Sequence, residues 1–164
     1  MDNLILPRFL QQYEMLIGWI NGSLNALSDD ELRQEILPGK NHGIWLLGHL
    51  IASDDDFSVY LGKGELIYPE YQDMFAQGSK LLPPQKYPDT YILKNHWKEV
   101  CIKNIMIYQG LKDSELDEKH EMVKDFERDF FKTKMRVIIY WQLHQAYHAG
   151  QLGILVSKAG KSKF

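Results

Sequence analysis

The stretch Leu143-His144-Gln145-Ala146-Tyr147-His148-Ala149-Gly150-Gln151-Leu152 decides how this chain is read. In the longer run around it, Val137, Trp141, His144, His148, Leu152 and Leu155 recur at helical spacing and form one apolar stripe. Both histidines fall on that stripe, one turn apart, so their rings stack on the same face of the helix. Two imidazoles aimed at a core need a partner, because burying a polar group unsatisfied costs about 1–3 kcal/mol. A shared metal ion is one solution, and a neighbouring hydroxyl or carbonyl is the plain alternative.

Three more long helical stretches precede this one. The first runs from about Pro7 to Ala26, with Phe9, Tyr13, Leu16, Ile17, Ile20 and Leu24 as its stripe. Pro7 suits a first turn, where the missing N–H is not needed. Ser28-Asp29-Asp30-Glu31 has capping-box spacing and predicts a short helix through Ile36, ended by Pro38-Gly39. The second long helix spans about Ile44 to Leu61, capped by Asn41 and closed by Gly62. The third starts at Asp89 or Thr90, continues to about Leu111, and turns Trp97, Val100, Cys101, Tyr108 and Leu111 inward. The fourth begins near Thr133 and ends at Gly160.

Between the second and third helices lie residues 62–88, rich in Gly, Pro and Tyr, with room for one short helix near Glu70–Ala76. Connections this long usually have a task. An end-to-end crossover would let the flanking helices run parallel rather than as a hairpin. The charged run from Asp117 to Asp129 reads as a solvated loop, and the alternation from Glu121 to Phe131 is too poor to set a hairpin. The predicted fold class is all-α: one domain over residues 1–164, a four-helix bundle with a long crossover between helices 2 and 3 and short accessory helices.

Composition narrows the function. Apolar content of 45 % and charged content of 25 % describe an ordinary globular chain of 164 residues, long enough to bury a core without disulfides. A net charge of −3 and the lack of any Lys/Arg cluster argue against a nucleic-acid surface. The short basic tail of Lys158, Lys161 and Lys163 reads as a solvated C-terminus. The single cysteine, Cys101, excludes a disulfide framework and reads as a small buried apolar residue. Met1-Asp2-Asn3-Leu4 does not resemble a signal peptide, and no apolar run approaches a membrane span, so a cytoplasmic protein is expected.

A third histidine, His49, lies in Ile44-Trp45-Leu46-Leu47-Gly48-His49-Leu50-Ile51-Ala52, with Trp45, Ala52 and Asp56 at helical spacing from it. Packing the second long helix beside the fourth brings His49, His144 and His148 to one point. Neutral imidazole suits Zn²⁺, Ni²⁺, Cu²⁺ or Fe²⁺ better than Mg²⁺ or Ca²⁺. Three protein ligands leave a coordination position open, as in catalytic zinc sites. Such an ion either brings the pKa of a bound water to about 7 or holds a thiol as thiolate, and the sequence does not choose between them.

Asp56 is a candidate orienting partner or general base, set against the plain reading of an exposed member of the Asp54-Asp55-Asp56 run. Gln151 reads as a hydrogen-bond donor in helix packing. Gly150 and Gly153 each cost a helix about 1 kcal/mol relative to alanine, which predicts close helix approach there. His42 needs no more than a capping or surface role, His96 faces solvent or a rim, and His120 sits in the charged connection.

The segment His144-Gln145-Ala146-Tyr147-His148-Ala149-Gly150-Gln151, together with Trp45-x-x-x-His49, resembles the DinB/YfiT-like superfamily of bacterial four-helix proteins, whose last helix carries an H-x-x-x-H-x-G-Q signature. The helix order with its long crossover extends the likeness over nearly the whole chain. The resemblance implies a divalent metal, zinc or nickel foremost, on His49, His144 and His148. It also implies a homodimer and a small-molecule substrate, with a low-molecular-weight thiol such as bacillithiol or mycothiol as cosubstrate of a metal-dependent transferase. A metal-dependent hydrolase and a non-catalytic metal- or ligand-binding stress-response module are the alternatives. Ala149 departs from the pattern, since relatives often carry arginine there, which weakens any transfer of substrate by analogy.

Overall fold

A computed structural model describes residues 4–162. Its α-helices are α1 Leu6–Ala26, α2 Asp29–Leu32, α3 Gly43–Tyr60, α4 Tyr71–Met74, α5 Thr90–Gly110 and α6 Lys134–Lys158. Short 3-10 turns occupy Pro84–Lys86 and Asp113–Glu115, and no strand occurs among the described residues. The all-α expectation therefore holds, with four long helices at the expected places.

Local sequence accounts for the helix ends and faces. Pro7 sits in the first turn of α1, and Tyr13, Leu16, Ile20 and Leu24 form its buried stripe. The hydroxyl of Thr133 accepts the N–H of Arg136 to open α6, and Gly160, at φ 67°, takes the left-handed conformation that closes it. Burial extends almost all round α3, because Ile44, Leu46, Leu47, Leu50 and Ile51 point in several directions and all are fully enclosed.

Helix α3 packs against α5 and α6, and α1 packs against the same two. Cross-helix partners set the directions. Asp54 pairs with Asn104 and Phe57 meets Tyr108, so α3 and α5 run parallel. Ser53 pairs with Trp141 and the earlier His49 with the later His148, so α3 and α6 run antiparallel. Asn21 pairs with Trp97 while Tyr13 meets Tyr108, so α1 and α5 are antiparallel as well.

The crossover over residues 62–88 thus joins two parallel helices, as its length predicts. Tyr68, Tyr71, Phe75 and Tyr87 anchor it in the core. The carboxylate of Asp55 accepts the backbone N–H groups of Ile67 and Tyr68, and the side-chain amide of Gln72 donates to the carbonyl of Ala52.

Several local expectations need correction. Helix α2 stops at Leu32 rather than Ile36, because the chain from Gln34 to Ile36 is extended against Asn41–Gly43: the N–H of Ile36 donates to Asn41 and that of Gly43 to Gln34. His42, not Asn41, caps α3; its Nδ1 accepts the Trp45 N–H and its Nε2–H donates to the Leu82 carbonyl. The charged connection is more than a solvated loop. His120 is buried and bonded to Asp129, the N–H of Glu121 donates to Tyr60, and buried Lys134 sits 2.8 Å from Glu118. One isolated bridge, Lys119 with Thr133, brackets this segment without forming a hairpin.

The basic tail is tied down rather than solvated where it is described. Lys158 donates to the Glu35 carbonyl, and Lys161 donates to Ala26 and pairs with Glu31. Lys163, like Met1, Asp2 and Asn3, lies outside the described residues. His96 is half-buried, stacked on Tyr68 and hydrogen-bonded to the Tyr71 hydroxyl, so it is more enclosed than a rim residue. No described helix is long and apolar enough to cross a membrane.

Candidate metal centre

Helices α3 and α6 bring His49, His144 and His148 together, and one nitrogen from each lies within 4.8 Å of the others. The Nε2 atom of His144 is 3.0 Å from that of His49 and 2.9 Å from that of His148. His49 and His148 are buried and His144 is half-buried.

The orientation of each ring has an identifiable cause. Trp45, one turn before His49, stacks on its ring at 4.8 Å and 10°. The Nδ1–H of His49 donates to the Phe75 carbonyl at 2.7 Å, and that of His148 donates to Oε1 of Gln151 at 2.6 Å. Gln151 therefore orients a ring as an acceptor, where the sequence reading makes it a packing donor. Phe75 reaches its place because α3 has no side chain at residue 48. A Cβ on Gly48 would lie 2.1 Å from the Phe75 ring. By contrast, a Cβ on Gly150 would meet nothing within 4 Å, so the close approach expected there is absent.

Proton counting shows that a cation fits this donor set. With Nδ1–H committed on His49 and His148, their Nε2 atoms carry lone pairs that face Nε2 of His144. A single proton on His144 can serve only one of them. A metal ion held by His49, His144 and His148 would satisfy all three lone pairs at once. Burial, then the neighbouring imidazoles His148 and His49, lower the pKa of His144 to about 3. Burial likewise lowers His148 to about 4, against the Gln151 hydrogen bond, and it also lowers His49. All three rings are neutral at physiological pH, the state in which imidazole is a ligand.

Two clefts open beside the cluster, of about 270 and 500 Å³, and both are lined by His49 and His144. A larger groove of about 570 Å³ runs between α1 and α6, but among the described residues no histidine or carboxylate lines it, so the titratable groups lie with the smaller clefts. Asp56 lines the 270 Å³ cleft, half-buried, and burial followed by the charge of Asp55 pushes its pKa up to about 6. It does not belong to an exposed acidic run, since Asp54 and Asp55 are fully buried. Asp54 accepts from the side chains of Gln145 and Tyr13; Asp55 pairs with Lys103. Ala149 is packed in the core.

Several of these contributors were not singled out from sequence. Gln145 was within reach, because it lies three residues before His148 on the inward half of the helix. Phe75 acts through its backbone carbonyl, and the side chain of a distant aromatic gives no sign of that. Phe131 reaches the 270 Å³ cleft only because the charged connection folds back over the end of α3, while Tyr140 comes from α6. Compared with known proteins, the chain matches no protein-family model and no curated protein sequence. Fold and site together define an all-helical protein with a histidine cluster able to hold a metal ion.

Proposed function

We propose that this chain is a DinB/YfiT-like four-helix-bundle protein that holds a divalent metal, zinc or nickel foremost, on His49, His144 and His148. We propose further that it is a metal-dependent transferase acting on a small molecule through a low-molecular-weight thiol. The observation that carries the reading is the convergence of three neutral Nε2 atoms, 2.9 and 3.0 Å apart, at the wall of an open cleft. When bound there, a divalent ion lowers the pKa of an adjacent thiol or water so that the nucleophile is available at neutral pH.

The chain's own residues supply the rest. Phe75 and Gln151 fix the ring orientations through Nδ1, and Trp45 limits rotation of His49. Aromatic side chains of Tyr60, Phe131 and Trp141 restrict water on one side of the cluster. Asp56, facing the same cleft with a carboxyl near pH 6, is placed to take or hold a proton of a bound molecule. By the same resemblance the protein is a cytoplasmic homodimer.

One observation favours a second reading, hydrolysis with water as the nucleophile: among the described residues no lysine or arginine lines either cleft, so a carboxylate-bearing thiol finds no basic side chain to hold it. The test is turnover by metal-loaded protein, with thiol and an aryl halide in one assay and nitrophenyl esters in another. Metal-dependent thiol consumption that disappears in His148→Ala supports the transferase, and metal-dependent ester cleavage alone supports the hydrolase. Loss of neither substrate would refute both.

A further inference from the structure

Asp54, Asp55 and Asp56 are three consecutive carboxylates on α3, and the fold treats them differently. Asp54 accepts hydrogen bonds from Gln145 at 2.8 Å and from the Tyr13 hydroxyl at 3.1 Å. Asp55 accepts the N–H groups of Ile67 and Tyr68 and pairs with Lys103. The carboxylate of Asp56 meets no hydrogen-bond donor and no cation among the described residues. Lys103, the basic group whose charge reaches it, is held by Asp55 and Ser58.

A half-buried carboxylate with no protein partner is left to solvent alone, and a cation that enters beside it can make a charge-assisted hydrogen bond or ion pair with it. The surroundings of Asp56 suit one. Tyr60 and Trp141 line the same 270 Å³ cleft with ring centroids 4.8 Å apart, and Phe131 and Tyr140, also 4.8 Å apart, continue the wall. Tyrosine, tryptophan and phenylalanine faces attract a cation through the ring quadrupole, and most strongly where water is excluded. Among the described residues no lysine or arginine lines the cleft, and the one carboxylate in its lining is that of Asp56. An anion there would face the Asp56 carboxylate.

We propose that the cleft beside the histidine cluster selects a small organic cation, with Asp56 as counter-ion and Tyr60, Phe131, Tyr140 and Trp141 as an aromatic wall. The substrate class is an ammonium-bearing small molecule. This rests on the reading of the cleft as the substrate side of the metal centre, but cation selection itself needs only Asp56 and the aromatic wall.

Choline is a suitable probe, measured against its neutral carbon isostere dimethylbutanol and the anion dimethylbutanoate. The alcohols share one hydroxyl, so any contact of oxygen with a metal cancels between them. Calorimetric titration would use the full chain, metal-loaded and metal-free, with metal content read by elemental analysis on the same samples. The expected result is choline binding at least about tenfold tighter than dimethylbutanol, with no binding of the anion to the metal-free protein, where its carboxylate has no metal to reach. That preference collapses in Asp56→Asn and weakens in Tyr140→Leu, a partly exposed position that leaves the carboxylate in place.

Equal affinity for choline and dimethylbutanol, no saturable choline binding, or an unchanged preference in both variants would overturn the proposal. Should Asp56→Asn fail to fold, Tyr140→Leu and the three-probe comparison still decide it. Choline preference in a protein that takes up no metal would sink the metal reading and leave this one standing. A metal-loaded protein indifferent to charge would do the reverse.

Discussion

At the scale of single residues, the three histidines are oriented by groups outside the cluster. Gln151 accepts the Nδ1–H of His148, and partners of this kind typically contribute about 10–100-fold to metal affinity. Gln151→Leu is therefore expected to weaken zinc binding by a factor in that range, measured by competition with a chromogenic chelator, while the unfolding temperature of metal-free protein changes little. Asp54 makes a pH prediction. Burial pushes its carboxyl up to about 7, against hydrogen bonds from Gln145 and Tyr13 that pull it down. The folded chain thus holds this proton more tightly than the unfolded one. The group's contribution to stability is full below its ordinary value of 3.8 and is lost as pH rises through about 7. Asp54→Asn removes that titration. Between about pH 4 and pH 8 the difference in unfolding temperature should shift against the wild type and in favour of the variant. A pH-independent difference would contradict the assignment. That the three histidines meet was legible from the apolar stripes that carry them, because an imidazole on such a stripe demands a partner; spacing alone did not say whether the partner is a metal. Asp54 and Asp56 were not separable, since three adjacent carboxylates look alike until their neighbours are placed.

At the scale of elements, the crossover is as much a part of the site as the helices. Phe75 orients His49 only because Gly48 leaves room for its ring. Gly48→Ala is expected to cost about 1–3 kcal/mol through overpacking and to weaken metal binding as the Phe75 carbonyl shifts. Gly150→Ala, on an open helical surface, should instead raise stability by up to about 1 kcal/mol, so chemical denaturation of the two variants gives opposite signs. The sequence marked the wrong glycine of this pair. A glycine inside a helix announces only a propensity cost, and the neighbour that would justify it lies elsewhere in the chain. Helix faces and ends fared better, because Pro7, Thr133 and Gly160 act locally. The cap of α3 shifted from Asn41 to His42 because that side chain also reaches the Leu82 carbonyl, a contact made by the distant crossover.

At the scale of the molecule, α3 and α6 are pinned in register by polar links, with Ser53 to Trp141 and Asp54 to Gln145 beside the histidine cluster. A metal that binds only the folded arrangement stabilises it by mass action, about 2.7 kcal/mol at a concentration one hundred times its Kd. Thermal unfolding should therefore shift upward on adding zinc and revert with chelator in wild type, and stay fixed in His144→Ala/His148→Ala. The order of long helices was legible because each carries its own apolar stripe, and the parallel run of α3 and α5 followed from crossover length. How the charged connection folds over the cleft was not, since its contacts are with residues on other elements, Tyr60 among them. The most direct test of the central claim is elemental analysis of untagged protein purified without chelator, beside the same double variant. The account predicts near-stoichiometric zinc, nickel or a similar divalent metal in the wild type and its loss in the variant. Wild type that holds no metal after incubation with divalent ions, or a variant that holds as much, would contradict it.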